Sequence, residues 1–178
     1  MVEELIIAGF GGQGVMLMGQ LLSYAGLHEG KNVSWIPSYG PEMRGGTANC
    51  SVVISDEQIG SPIVTEPTTA IVMNRPSLDR FEPTVREGGI LIYNSSLIDR
   101  APTRTDIRVI AVPANEIGAE LGSDRVANMI VLGAYLAASG AVSADSIEAI
   151  LADVLPPRRH DLIPLNVQAL KRGAELIK

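Results

Sequence analysis

The first run of apolar positions, "ELIIAG" at residues 4–9, is continuous rather than alternating. That pattern suits a strand buried on both faces. The period then changes. Over 14–30, "GVMLMGQLLSYAGLHEG", Val15, Met18, Leu22 and Ala25 recur at helical spacing, and Gly30 marks a stop. Further strands are predicted at 32–36 ("NVSWI"), 48–55 ("ANCSVVIS"), 68–74 ("TTAIVMN"), 88–94 ("GGILIYN") and 106–113 ("DIRVIAVP").

Between and after these strands the helical pattern returns. "RPSLDRFEPTV" at 75–85 predicts one or two turns, with Pro76 near their start. "ANEIGAELG" at 114–122 predicts a short helix ended by Gly122. "VANMIVLGAYLAASG" at 126–140 is apolar almost all round, so that helix is expected to be buried on most faces. Ser143 suits the N-cap of a helix over 144–155, with Glu148 close to its first turn, and Pro156 and Pro157 forbid its continuation. "LIPLNVQALKRGAELIK" closes the chain as an amphipathic helix.

Strand–loop–helix–strand units joined by short turns predict an α/β fold. The expected form is a doubly wound, mainly parallel sheet with helices on both faces, Rossmann-like in organisation. The step from 32–36 to 48–55 contains no helix; if it is antiparallel, the sheet is mixed. No internal repeat, low-complexity segment or linker interrupts the chain, so a single domain over residues 1–178 is expected.

Composition narrows the chemistry. The chain is 46% hydrophobic but only 4% aromatic, which favours aliphatic α/β layers over an all-β sandwich. Its formal charge is −6, and no basic stripe interleaved with aromatics offers a nucleic-acid surface. No apolar run approaches the roughly 18 residues needed to cross a bilayer. The acidic start "MVEE" is unlike a signal peptide, so no membrane association and a cytoplasmic location are expected. Cys50 is the single cysteine and His28 and His160 stand far apart. An iron–sulfur cluster normally takes four thiolates and a structural zinc four ligands, so no metal site is expected. Cys50 lies in an apolar stretch and reads as core rather than as a reactive thiol.

Two glycine-rich segments stand out. Gly9, Gly11 and Gly14 fit G-x-G-x-x-G between a strand and a helix. In that setting the glycines permit a tight turn and a close backbone approach to phosphate, and the helix N-terminus offers N–H groups to an anion. A dinucleotide site would also carry an acid about 20 residues on, at the end of the second strand. That strand ends in Ser34-Trp35-Ile36-Pro37; Glu29 precedes it and Glu42 lies well beyond it. Three readings stay open for this turn: a plain tight turn, a nucleotide site, and another phosphate or partner contact. The second segment, "SYGPEMRGGTANC" at 38–50, sets Glu42 and Arg44 among Gly40, Pro41, Gly45 and Gly46. Arg44 could grip a carboxylate or phosphate bidentately, or form a solvated surface pair with Glu42. If the strands before the two segments are parallel, both loops leave the same sheet edge, where open α/β sheets bind ligands.

Taken together, "GFGGQGV" (9–15), "IPSYGPEMRGGTANCSVVIS" (36–55), "NSSLID" (94–99) and "RVANMIVLGA" (125–134) resemble the gamma subunit of 2-oxoacid:ferredoxin oxidoreductases. The likeness is to the separate gamma chains of the 2-oxoglutarate and 2-oxoisovalerate enzymes, and to the gamma domain of pyruvate-ferredoxin oxidoreductase. It implies a complex that oxidatively decarboxylates a 2-oxoacid, 2-oxoglutarate first among them, to an acyl-coenzyme A with ferredoxin as acceptor. In such complexes thiamine diphosphate with Mg lies between the alpha and beta subunits. Iron–sulfur clusters lie in beta or in a small delta subunit. The gamma chain binds none of these alone and carries no catalytic residue; it docks on the others, helps bind coenzyme A and closes the site. Ferredoxin is then an indirect partner, and an isolated gamma chain is expected to form a homo-oligomer or bind its larger partners.

The resemblance carries over Tyr39, Gly40, Pro41, Glu42, Met43, Arg44, Gly45, Gly46 and Thr47 as the loop facing coenzyme A and the partner. Gly9, Gly11, Gly12, Gln13 and Gly14 carry over as the adjoining turn. Asn94 and Ser95, at the end of a further strand, are weaker candidates whose alternative is a plain βα turn. Two other functions compete: a free-standing Rossmann-like nucleotide-binding protein, and a structural adaptor without ligand. Co-purification with alpha and beta chains discriminates them.

Overall fold

Alternation along β1 (Val2–Phe10) sets the architecture. Leu5 and Ile7 point into one apolar cluster, Ile6 and Ala8 into another, and all four are buried. A strand covered on both sides has no solvent face, which is why its sequence is apolar without a break. The computed structural model describes residues 1–38 and 47–178.

The remaining strands are β2 (Asn32–Ser38), β3 (Thr47–Ser55), β4 (Thr69–Val72), β5 (Ile90–Asn94) and β6 (Arg108–Val112), in the spatial order β2-β3-β1-β4-β5-β6. β1, β4, β5 and β6 run parallel. β3 is antiparallel to both β1 and β2. The sheet is therefore mixed, and the step without a helix supplies the antiparallel pair. Because β3 is inserted between β1 and β2, those two strands run in the same direction without touching. Pro37 falls within β2, which is tolerable because β2 is an edge strand.

The helices are α1 (Val15–His28), α2 (Arg75–Phe81), α3 (Ala114–Glu120), α4 (Ala127–Ser139), α5 (Ala144–Val154) and α6 (Ile163–Ala174). On the first face α1 covers β1, β2 and β3, and α4 covers β5 and β6. α5 packs on α1 and α6 packs on α4, so α4 is sandwiched between sheet and helix. That placement explains its all-round apolar sequence: every residue from Ala127 to Leu136 is buried. Among the described residues, α2 is the α-helix on the second face, with Leu78 and Phe81 against Ile6, Ala8, Ala70, Val72 and Leu91. Helices thus lie on both faces, but unequally.

Local signals account for most boundaries. Ser143 accepts from the Ser146 N–H and caps α5. The acid in that first turn is Asp145 rather than Glu148. A second carboxylate comes from far away in sequence: Glu29 accepts from the Ser143 N–H at 2.7 Å and the Ser146 hydroxyl at 2.8 Å, and pairs with Lys31 at 3.1 Å. The predicted turns over 75–85 divide into α2 and a 3₁₀ turn, Glu82–Thr84, at Pro83. Pro156 and Pro157 end α5 as expected, and a 3₁₀ turn, Pro157–Leu162, leads into α6.

Candidate functional site

The parallel strands direct their carboxyl ends to one edge. After β1 the chain crosses to α1 on the first face; after β4 it crosses to α2 on the second. β1 and β4 are neighbours, so the crevice between their ends is the point where the winding reverses, and ligands of open α/β sheets bind at such a point.

The turn after β1 is built for close approach. A Cβ on Gly9 would stand 2.8 Å from the Met73 Cβ and 3.0 Å from the Val15 Cγ2, so the strand can pass only without a side chain. Gly12 and Gly14 have φ of 89° and 75°, left-handed values that favour glycine. Gly14 is also roofed by the Asn128 side chain at the start of α4, whose Cγ lies 2.7 Å from the position a Cβ would take. Gly11 is exposed and outside the left-handed region. The spacing singled out Gly11 as a permissive residue; the backbone places that requirement on Gly12.

Gln13 locks this turn. Its Oε1 accepts from the Phe10 N–H at 2.7 Å, and its Nε2 donates to the Met73 carbonyl at 3.2 Å. One side chain therefore closes the turn and ties it to the end of β4. α1 begins at Gly14 with no side-chain cap and no acid in its first turn. Its first helical bond is Met18 N–H to Gly14 C=O. The N–H groups ahead of that bond face the turn, where the helix dipole favours an anion.

Two polar groups at the end of β4 complete the crevice. Asn74 Oδ1 accepts from the Ser77 N–H at 2.9 Å and caps α2. Its Nδ2 and the Ser77 hydroxyl are buried and have no partner among the described residues. The sequence reading missed both. Asn74 two residues before Pro76 is an N-cap signature that would have found it.

Of the second segment, Thr47 is described and Tyr39, Gly40, Pro41, Glu42, Met43, Arg44, Gly45 and Gly46 lie outside the described residues. Its two ends are fixed by pairing. Thr47 is the partner of Phe10, and Ser38 is the partner of Asn49. Directly paired residues of an antiparallel ladder are about 5 Å apart at Cα. The segment therefore leaves and re-enters the sheet beside the glycine turn, on the same edge.

Asn94 and Ser95 are elsewhere on that edge, past β4. Asn94 is fully buried; its Nδ2 donates to Asn115 Oδ1 at 2.8 Å and its Oδ1 accepts from the Ser96 and Ala114 N–H groups. Ser95 enters the ladder through its N–H to the Val112 carbonyl. Ser96, not singled out from sequence, accepts from the Asn115 and Glu116 N–H groups at the start of α3. These groups are spent on joining β5 to α3.

Cys50 is fully buried on the α1 side of β3. Burial pushes its thiol up to about 11, against a smaller downward pull from the Trp35 indole. A neutral, enclosed thiol is unsuited to binding a metal. Among the described residues no three His, Cys, Asp or Glu side chains gather into a cation site, and no helix is long and apolar enough to cross a membrane.

Residues 4–176 match the pyruvate ferredoxin/flavodoxin oxidoreductase family. The chain belongs to that family. It is 44% identical over 172 residues to the ketoisovalerate oxidoreductase subunit VorA of Methanothermobacter marburgensis, covering 95% of this chain and 35% of that one. This chain thus spans about a third of the length of that relative. It is 33% identical over 182 residues to the 2-oxoglutarate synthase subunit KorC of Methanocaldococcus jannaschii, covering 100% of this chain and 95% of the other. Among solved structures, the gamma subunit of a keto/oxoacid ferredoxin oxidoreductase from Geobacter sulfurreducens superposes with a TM-score of 0.84 at 29% identity, over 98% of each chain.

Proposed function

We propose that this member of the oxidoreductase family is the gamma subunit of a 2-oxoacid:ferredoxin oxidoreductase complex, acting as one gamma-type domain over residues 1–178. The complex converts a 2-oxoacid to its acyl-coenzyme A with ferredoxin as electron acceptor. Thiamine diphosphate, Mg and the iron–sulfur clusters belong to the alpha, beta and delta partners. Membership of the family favours this reading over the competing one of a free-standing nucleotide-binding protein.

One observation carries the role of this chain: the pairing of Phe10 with Thr47, which sets the glycine turn before the uncapped start of α1 beside the point where the 39–46 segment re-enters the sheet. Backbone N–H groups and a nearby arginine-bearing segment suit the phosphates of coenzyme A. The unspent Asn74 Nδ2 and Ser77 hydroxyl at the same crevice suit its further polar groups. In this proposal the chain presents the co-substrate, and its partners carry out the bond-breaking.

The relatives support two substrates. Full-length similarity to 2-oxoglutarate synthase subunits supports 2-oxoglutarate; the higher identity to the ketoisovalerate subunit supports a branched-chain 2-oxoacid. The test is reconstitution with alpha and beta chains and an assay of each 2-oxoacid with coenzyme A and ferredoxin. Turnover that is unchanged when this chain is omitted overturns the proposal. So does stoichiometric iron or tight thiamine diphosphate binding in the isolated chain.

A further inference from the structure

The amino ends of the parallel strands carry chemistry that the glycine turn does not use. Glu3 lies near the start of β1; at about 3.3 Å per residue, Phe10 and the glycine turn are about 23 Å away. The 39–46 segment joins the sheet beside that turn, at Ser38 and Thr47, and so at the opposite end. Glu3 continues the row of Leu5 and Ile7, on the face that α4 helps to cover, and is partly buried. Two hydroxyls hold its carboxylate. Oε1 accepts from the Tyr135 phenol at 3.2 Å and Oε2 from the Thr68 hydroxyl at 2.8 Å. Tyr135 is fully buried, so the phenol cannot swing away. Neither donor is charged. Among the described residues no cation pairs with Glu3, whereas the adjacent Glu4 is paired with Arg86 at 2.7 Å.

The carboxylate borders a cavity of about 250 Å³. Gly88 and Gly89, ahead of β5, form one wall, and Ala138 and Ser139, the last residues of α4, form another. Arg86 and Glu87 also border it; the guanidinium is engaged by Glu4, and Glu87 is exposed at the rim. α4 stops at Gly140 and has no basic residue in its last turn. The carbonyls and the dipole at such a helix end favour a cation. Two sources of negative potential therefore meet in one cavity, and neither has a counter-charge among the described residues. A carboxylate offers about four lone-pair positions. The two hydroxyls occupy two of them, which leaves Glu3 able to accept more. Withdrawing a carboxylate from water without a counter-charge costs free energy, and a bound cation offsets that cost.

We propose that this cavity binds an organic cation, a primary ammonium or guanidinium group, whose N–H groups donate to Glu3 and to the last carbonyls of α4. A divalent metal suits it less. Calcium takes six to eight oxygen ligands, and among the described residues no three His, Cys, Asp or Glu side chains gather into a cation site. The group is either a free small amine or a basic side chain of another protein, and its chemistry is the same in both. The proposal does not rest on the gamma-subunit reading.

The experiment is an amide NMR titration of the full chain with n-butylammonium and with methylguanidinium at constant ionic strength, with n-butanol as the neutral counterpart. Both cations should give saturable shifts at Gly88, Gly89, Ala138 and Ser139, and butanol should not. Glu3→Gln keeps the acceptor for Tyr135 but removes the charge, and should weaken binding at least about tenfold. Asp153→Asn, an exposed position on α5, should stay within about twofold. The same titration on the complex with the larger subunits identifies the source. Loss of probe uptake there assigns the cavity to a basic side chain of the partner; retained uptake assigns it to a free amine. The proposal is overturned if neither cation gives a saturable shift at these four amides, if butanol shifts them equally, or if Glu3→Gln binds as wild type does.

Discussion

Gly173 of α6 rests directly on the backbone of Ile130 in α4. A Cβ added at Gly173 would collide with the Ile130 carbonyl oxygen and stand 2.8 Å from its carbon and 3.0 Å from the Ala134 nitrogen. The contact is nearly reciprocal, since a Cβ at Gly133 would meet the Leu170 carbonyl, 2.8 Å from its carbon. At these two glycines the helices approach backbone to backbone, which lets α6 close over the buried stripe of α4.

Gly173→Ala and Gly133→Ala should therefore each destabilise the fold by about 2–4 kcal/mol. Helix propensity alone argues the other way, favouring alanine by about 1 kcal/mol. Packing wins because the obstacle is main chain and cannot rotate aside. Thermal denaturation of the variants measures the sign directly. A rise in Tm in either variant would show that α6 sits further from α4 than described.

Gln13 offers a test that separates stability from ligand binding. Gln13→Ala removes the bonds to Phe10 and Met73 and should cost about 1–3 kcal/mol. Gln13→Glu keeps the acceptor for Phe10 but loses the donor to Met73, so its stability loss should be similar or smaller. If the turn receives an anionic group of coenzyme A, the added carboxylate repels it. The coenzyme A constant of the assembled complex should then rise more for Gln13→Glu than for Gln13→Ala. Equal constants in the two variants would detach the turn from coenzyme A.

How far these features were legible depends on their range in sequence. β1, α1 and the apolar α4 announced themselves, because period and burial are local consequences of a few neighbouring residues. The insertion of β3 between β1 and β2 was not legible, since pairing partners such as Phe10 and Thr47 are specified by cross-strand packing and not by either segment alone. Glu29 shows the same limit. Nothing near it announces that it will hold the start of α5, 114 residues away. At the candidate site the glycine turn was visible as a motif, but its lock, Gln13 on Met73, needed the neighbouring strand to be placed. Asn94 and Ser95 were visible as a strand end, and only the geometry showed that Asn94 is consumed by α3.

Glu29 also sets an acid limit on stability. Partial burial pushes its carboxyl up, but the Ser143 N–H, the Ser146 hydroxyl and Lys31 pull it down to about 2. The folded value lies below the ordinary 4.5, so the unfolded chain binds the proton first. The stabilisation is complete above about pH 4.5 and is lost as pH falls toward about 2. Glu29→Gln should cost about 1–3 kcal/mol at neutral pH, and the gap from wild type should close as pH approaches the folded value. Urea denaturation at a series of pH values checks this. A gap that is constant from neutral to strongly acid solution would mean the carboxylate charge contributes nothing.

Arg44 lies outside the described residues, and its prediction rests on sequence and on the gamma-subunit proposal. It is the only basic residue between Lys31 and Arg75, in the segment that re-enters the sheet at Thr47, opposite Phe10 of the glycine turn. If it contacts an anionic group of coenzyme A or holds the docked segment, Arg44→Ala should lose about 1.5–3 kcal/mol, the worth of a charged hydrogen bond. That corresponds to roughly a 10- to 150-fold change in the affected constant. Arg44→Lys should rescue poorly, because an ammonium cannot reproduce the planar fork of a guanidinium. Steady-state kinetics of the assembled complex, with coenzyme A and 2-oxoacid varied separately, decides the role. A rise confined to the coenzyme A constant points to direct contact, and equal losses for both substrates point to docking of the segment. Full activity of Arg44→Ala at limiting coenzyme A, with normal assembly, makes Arg44 a solvated surface charge.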